Sequence, residues 1–183
     1  MSHKTELLEY LSANVEPLSG ALGPRYAAAA VLTDGTFLPR VIFRSNMGLD
    51  ATAERLRKWS DDAVKFRGIL SAVAKRNYIE AKYVARVEKS PVATPPYIYR
   101  LLEDPIERME YANFALEMRD GVAVYFDIED VEEFSGPPVF INLPEKYSFK
   151  DVCGVRPCVH APSGEAVSRY GKEPVFFCCL SPE

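Results

Sequence analysis

Histidine occurs twice, cysteine four times and tryptophan once in the 183 residues of this chain. Chemistry that depends on imidazole or thiolate therefore has few places to reside. No run approaches the roughly 18 to 20 consecutive apolar residues that a membrane helix requires, which argues against a helical span. The amino-terminal stretch MSHKTELLEYLSANVEP returns to charged residues too soon after its first leucines to read as a secretory signal. The expectation is a soluble, cytoplasmic protein whose cysteines are reduced thiols. Also missing are G-x-x-x-x-G-K-[ST], G-x-G-x-x-G, H-E-x-x-H and the kinase and hydrolase signatures, which speaks against an ATPase or a dinucleotide enzyme. No internal repeat, low-complexity tract or domain linker interrupts the chain.

What is present suits an ordinary globular core. With 48% hydrophobic, 11% aromatic and 26% charged residues, the chain can bury a core as one domain over 1–183. A net charge of −4 and a pI near 5.4 argue against a dedicated binder of nucleic acid or anionic membrane. The charge is unevenly spread. From Glu54 to Arg76 there are seven Lys/Arg against three Asp/Glu, whereas from Glu103 to Glu133 there are eleven acidic residues against two Arg. Such asymmetry can steer a charged partner, and it is also what two solvated helical faces of opposite sign produce.

Hydrophobic spacing gives the elements. Leu8, Leu11 and Val15 predict a short helix over 5–14 that stops before Pro17. Two apolar runs flank Asp34-Gly35, the dipeptide of a type I′ turn, and predict a β-hairpin over 25–44. Pro39 points to an edge position in its second strand. The four alanines at 27–30 leave a flat surface against which a helix can pack. Leu56, Trp59, Ala63, Phe66, Leu70 and Val73 form one stripe on a long helix over 52–75, placed against a sheet or across a homodimer. Ile79, Ala81, Tyr83, Ala85 and Val87 alternate as one side of a half-buried strand. A prolyl loop then leads to a strand at Tyr97 to Leu101. Asp104, Pro105 and Glu107 read as the N-cap, first turn and capping box of a helix stopped by Gly121. The part from 122 to 180 is strand-rich, with strands at Val122 to Ile128 and Val139 to Leu143. The order favours an α+β fold, a mainly antiparallel sheet with three helices packed on it.

The segment DVCGVRPCVHAPSG, with PVFFCCL beyond it, holds all four cysteines and His160. Cys153, Cys158, His160 and one of Cys178 and Cys179 are residue types that zinc accepts in tetrahedral sites. Cys158 and His160 share a face if extended, and Gly154 with Pro157 could turn Cys153 back toward them. Against this, C-x4-C-x-H lacks the C-x2-C knuckle of zinc ribbons, and VFFCC reads as a core strand with sulfur as a small hydrophobe. No cofactor is expected, with zinc the one exception that the residues admit. A cysteine nucleophile would have His160 as its base, because His3 sits in a terminus expected to fray.

Elsewhere, five acidic residues in the seven from Asp127 to Glu133 lack the ligand and glycine pattern of an EF-hand and read as a capped helical turn. Tyr97 and Tyr99 beside Pro95-Pro96 suit a groove for a peptide or flat ligand, or half-buried packing. No family resemblance stands out. The reading is a non-enzymatic binding or interaction module for a protein or small-molecule partner, presenting Tyr97 and Tyr99 or the acidic Glu132 and Glu133. The alternative is a metal- or thiol-dependent enzyme, or a structural zinc protein, built on the C-terminal Cys/His cluster.

Overall fold

A computed structural model of the chain describes residues 2–18, 24–44, 77–107, 113–127, 139–158 and 174–180. The α+β class holds. The described residues form helices α1 (His3–Asn14) and α2 (Pro96–Glu107) and strands β1 (Arg25–Leu32), β2 (Phe37–Arg44), β3 (Asn77–Ile79), β4 (Val84–Lys89), β5 (Asn113–Met118), β6 (Ala123–Asp127), β7 (Val152–Cys158) and β8 (Phe176–Cys179). They fall into two compact units, Met1–Pro91 with Val175–Glu183, and Val92–Pro174. The helix expected over 52–75 lies outside the described residues. Among those described, no helix is long and apolar enough to cross a membrane.

The first unit is a five-stranded sheet in the order β3-β8-β2-β1-β4. It is mixed: β1 runs antiparallel to β2 and β4, whereas β8 runs parallel to both β2 and β3. Parallel pairing joins strands far apart in sequence, so no local pattern announces it. The hairpin expected over 25–44 forms, with a different loop. Gly35, at φ 87°, donates its N–H to Leu32 O at 2.9 Å, while the Leu32 N–H donates to Thr36 O at 2.8 Å. This is a three-residue loop whose last residue is left-handed, rather than a two-residue primed turn. Asp34 Oδ1 accepts from the Thr36 N–H at 2.9 Å, and that bond holds its carboxyl below the usual range.

β2 as a whole is an internal strand, but its pairing with β8 covers Val41 to Arg44, so at Pro39 no described strand lies on its outer side. Toward β1 the register jumps from Ala28↔Val41 to Ala30↔Leu38, so Pro39 and Arg40 together face Ala29 in a bulge. A bulge is the other place where a sheet tolerates a residue without an N–H. The alanines of β1 are buried on both faces. On one face Tyr26, Ala28 and Ala30 join Val41, Phe43, Val84, Val87 and Cys178 in a core with Leu7 and Leu11 of α1. Leu7 and Leu11 are four apart and so lie on one side of the helix. Ser2 caps α1 by accepting the Thr5 N–H at 3.3 Å. His3 is anchored rather than frayed: its Nε2 donates to Val84 O at 2.7 Å. The strand expected through Val87 is broken by a 3-10 turn at Ala81–Tyr83. That turn shifts the phase, so Ala81, Val84 and Val87 are buried while Tyr83 and Ala85 face outward.

The second unit is an antiparallel sheet in the order β6-β5-β7, packed against α2. Here the sequence expectation is inverted twice. Tyr97 to Leu101 is helix: Pro96 sits at the first helical position, where no N–H is needed, and Pro95 O accepts from the Ile98 and Tyr99 N–H groups at 3.0 and 2.9 Å. Pro105 falls near the end of that helix instead of opening one. Asn113–Met118, expected to be helical, is the central strand, with Phe114, Leu116 and Met118 on the core side. Gly121, at φ 85°, closes the β5-β6 hairpin and not a helix. Its N–H donates to Met118 O at 2.9 Å and the Met118 N–H donates to Val122 O at 2.8 Å, repeating the loop at Gly35 bond for bond. The core combines these side chains with Ile98 and Leu102 of α2, Val124, Phe126, Ile141 and Val152. The Phe114 and Phe126 rings stack at 5.1 Å. Of the strand expected at Val139 to Leu143, an isolated bridge between Phe140 and Ala93 forms.

Replacing Gly35 or Gly121 by Ala is expected to destabilise the protein by about 1 kcal/mol each, because both backbones are left-handed. Gly154→Ala should matter less: its Cβ would meet the mobile end of Glu117, at 2.8 Å from Oε2. Urea midpoints of the three variants at constant m-value check the order.

Candidate functional site

The expected cysteine cluster is not brought together by β7. Cys153 is the extra residue of a bulge opposite Glu117 and Met118; it is exposed and its S–H donates to Glu117 O at 3.3 Å. Cys158 ends the same extended strand, in register with Asn113. Five strand steps at ~3.3 Å place the two roughly 16 Å apart along the chain. A tetrahedral ion with sulfur at about 2.3 Å takes one of them, not both. His160 lies outside the described residues. Cys178 is in the other unit, buried in the core beside Cys179, which is half-buried. Burial, followed by the neighbouring Cys179, pushes the Cys178 thiol up to about 12. It stays protonated at neutral pH and is a poor nucleophile or metal ligand in that state. Among the described residues no three His, Cys, Asp or Glu side chains group as a metal site.

Tyr97 and Tyr99 were expected to share a strand face. On a helix, residues two apart point to nearly opposite sides. Tyr99 is buried accordingly, and Tyr97 is 48% exposed. Tyr97 is nevertheless fixed: its hydroxyl donates to Phe149 O at 2.6 Å. Burial raises its pKa, and the nearby Arg119 charge partly offsets the rise. One turn along α2, Leu101 is 50% exposed, which extends Tyr97 into a short apolar ridge. Glu132 and Glu133 lie outside the described residues.

The ridge borders a corner knit by polar bonds. Arg119, in the β5-β6 loop, donates from its backbone to Asp151 O at 2.8 Å and from Nε to Lys150 O at 3.0 Å. Asp120 accepts the Val122 N–H at 3.0 Å and the Tyr147 hydroxyl at 2.8 Å; these two bonds, the backbone one first, hold it below the usual carboxylate range. Asp151 is lowered in the same way by the Ser148 N–H and hydroxyl, at 2.7 and 2.9 Å, which box the 3-10 turn Phe149–Asp151. Lys146 lies over the Tyr147 ring at 4.5 Å. Both carboxylates are engaged in holding the loops, so the corner offers rigid tyrosine, arginine and leucine surface rather than an acid-base pair. The sequence reading passed over Leu101, Arg119, Asp120 and Tyr147. The signal available was Asp120-Gly121, the same dipeptide that revealed the first hairpin.

Comparison with protein-family models, with curated proteins and with solved structures finds no match for this chain.

The thiols should separate cleanly by chemistry. At pH 8 a small alkylating reagent is expected to label Cys153 in the native protein and to leave Cys178 unmodified until denaturant is added, as read by peptide mass spectrometry. Native labelling of Cys178 at the rate of Cys153 would contradict its burial.

Proposed function

We propose that the chain is a binding protein and that its second unit docks a protein partner on the surface formed by Tyr97, Leu101, Arg119 and Tyr147. The observation that carries this reading is Tyr97: a large aromatic ring half in water, with its hydroxyl already bonded to Phe149 O and an exposed Leu101 beside it. Tyrosine and arginine dominate the energetic centres of interfaces because they contribute large contact area for little lost side-chain freedom. Here the freedom is already lost before a partner arrives, since Tyr97, Arg119 and Tyr147 are each held by a hydrogen bond to a neighbouring loop. Pre-ordering of this kind lowers the entropic penalty of association. The rim is polar and carries both signs, Lys146 and Lys150 against Asp120 and Asp151, which favours a protein over a nucleic acid or an anionic membrane.

The test is affinity purification of the full chain from its native lysate, identification of the retained protein, and calorimetry with that protein purified. Tyr97→Ala is expected to weaken binding at least tenfold and Leu101→Ser severalfold, while Glu9→Ala on α1 leaves it unchanged. Tyr97→Phe separates the ring from the anchor: a small loss assigns affinity to the ring, a large one to the bond to Phe149 O. Equal affinity for wild type, Tyr97→Ala and Leu101→Ser would overturn the proposal.

A further inference from the structure

Three consecutive carbonyls of the turn Phe149–Asp151 are taken by two residues of the corner. The Tyr97 hydroxyl donates to Phe149 O, Arg119 Nε to Lys150 O, and the Arg119 N–H to Asp151 O. The ring and the guanidinium are thereby fixed on neighbouring residues of one turn, and the Arg119 charge acts on the Tyr97 hydroxyl.

These bonds decide which hydrogen-bonding groups face a partner. Tyr97 and Tyr147 have committed their hydroxyl protons, to Phe149 O and Asp120 Oδ2. Asp120 and Asp151 accept inward, from Val122 and Tyr147 and from Ser148. Bonding through Nε leaves the Arg119 guanidinium its Nη1-Nη2 edge, a planar pair of donors that matches a carboxylate in a two-bond fork. Arg119, Lys146 and Lys150 are all exposed. The corner therefore offers N–H donors beside the apolar Tyr97 and Leu101.

On the docking role given above to Tyr97 and Leu101, we infer that the partner engages this surface through an acidic segment. A side-chain carboxylate sits on the Nη edge of Arg119 and an apolar side chain lies against Tyr97 and Leu101. A guanidinium held before binding loses little freedom on pairing. Peptide is favoured over nucleic acid by the two carboxylates beside the site, which their own hydrogen bonds keep ionised. A peptide with spaced single charges can avoid Asp120 and Asp151, whereas a strand charged at every nucleotide meets them along with the cations.

Phage selection of random dodecapeptides on the full chain, followed by calorimetry of each recovered peptide against wild type and Tyr97→Ala, tests this. The peptides are expected to require Tyr97 and to carry Asp or Glu within a few residues of Leu, Ile or Phe. Changing that acid to its amide should weaken binding to wild type about tenfold but to Arg119→Gln only slightly, because the pair is already broken there. Lys150→Glu, at an exposed side chain, should weaken the parent peptide severalfold, and less so at high salt. Peptides that require Tyr97 but carry no acid, or an Arg119→Gln protein that discriminates acid from amide as wild type does, would overturn the acidic segment and leave the docking surface standing. A single-stranded oligonucleotide that binds at Arg119 more tightly than every recovered peptide would overturn it too. Peptides that bind Tyr97→Ala as well as wild type, or no recovered peptide at all, would overturn both.

Discussion

The sign of φ at Gly35 and Gly121 is the constraint on which both sheets rest. Each glycine lets a three-residue loop close with the same two backbone bonds, and each loop fixes which residue of one strand faces which residue of the next. A slip of one residue would turn every side chain to the other face. In the first unit that would exchange Ala28 and Ala30 for Ala27 and Ala29 against α1. In the second it would bring Glu117 into the core in place of Leu116 and Phe114. The aspartates at 34 and 120 reinforce the choice by accepting the N–H two residues on, so the tip is specified by side chain and backbone together.

Around this frame the two units solve the core differently. The first uses small residues: β1 is buried along its length with four alanines in sequence, and the bulk is supplied by Phe43, Tyr26 and the leucines of α1. The second uses large residues on a small sheet, with the stacked Phe114 and Phe126 against Ile98 and Leu102. The other face of this small sheet buries Ala115 and Tyr125 in a cluster of their own. Tyr97 and Leu101 are exposed on the side of α2 away from Ile98 and Leu102.

Local chemistry was legible in the sequence wherever one signal acted alone. The hairpin at 25–44, the helix at the start of the chain and the strand after Gly121 all followed from spacing and turn residues. The region from Tyr97 to Met118 misled because two signals competed. Tyr97 and Tyr99 alternate like a strand, but Pro96 at a helix start and the four-residue step from Ile98 to Leu102 prevail once a sheet is there to receive them. Asn113–Met118 contains good helix formers, yet Phe114, Leu116 and Met118 alternate, and pairing on both sides decides the outcome. The exposed corner was illegible for another reason. Arg119, Tyr147 and Tyr97 meet through loops that are distant in sequence, and no periodicity records such a meeting.

The place of β8 has a consequence for how the chain is made. It lies between β2 and β3, strands that emerge from the ribosome long before it. All the residues of the second unit are contiguous and precede β8, so that unit has its full complement of partners first. Until Phe176–Cys179 appears, β2 and β3 each lack a neighbour, and the apolar Val41, Ile42 and Phe43 wait beside an empty slot. Vectorial synthesis therefore creates a window in which the nascent chain holds an open, sticky strand, and a slow translation rate across 92–174 would lengthen the exposure to misassociation.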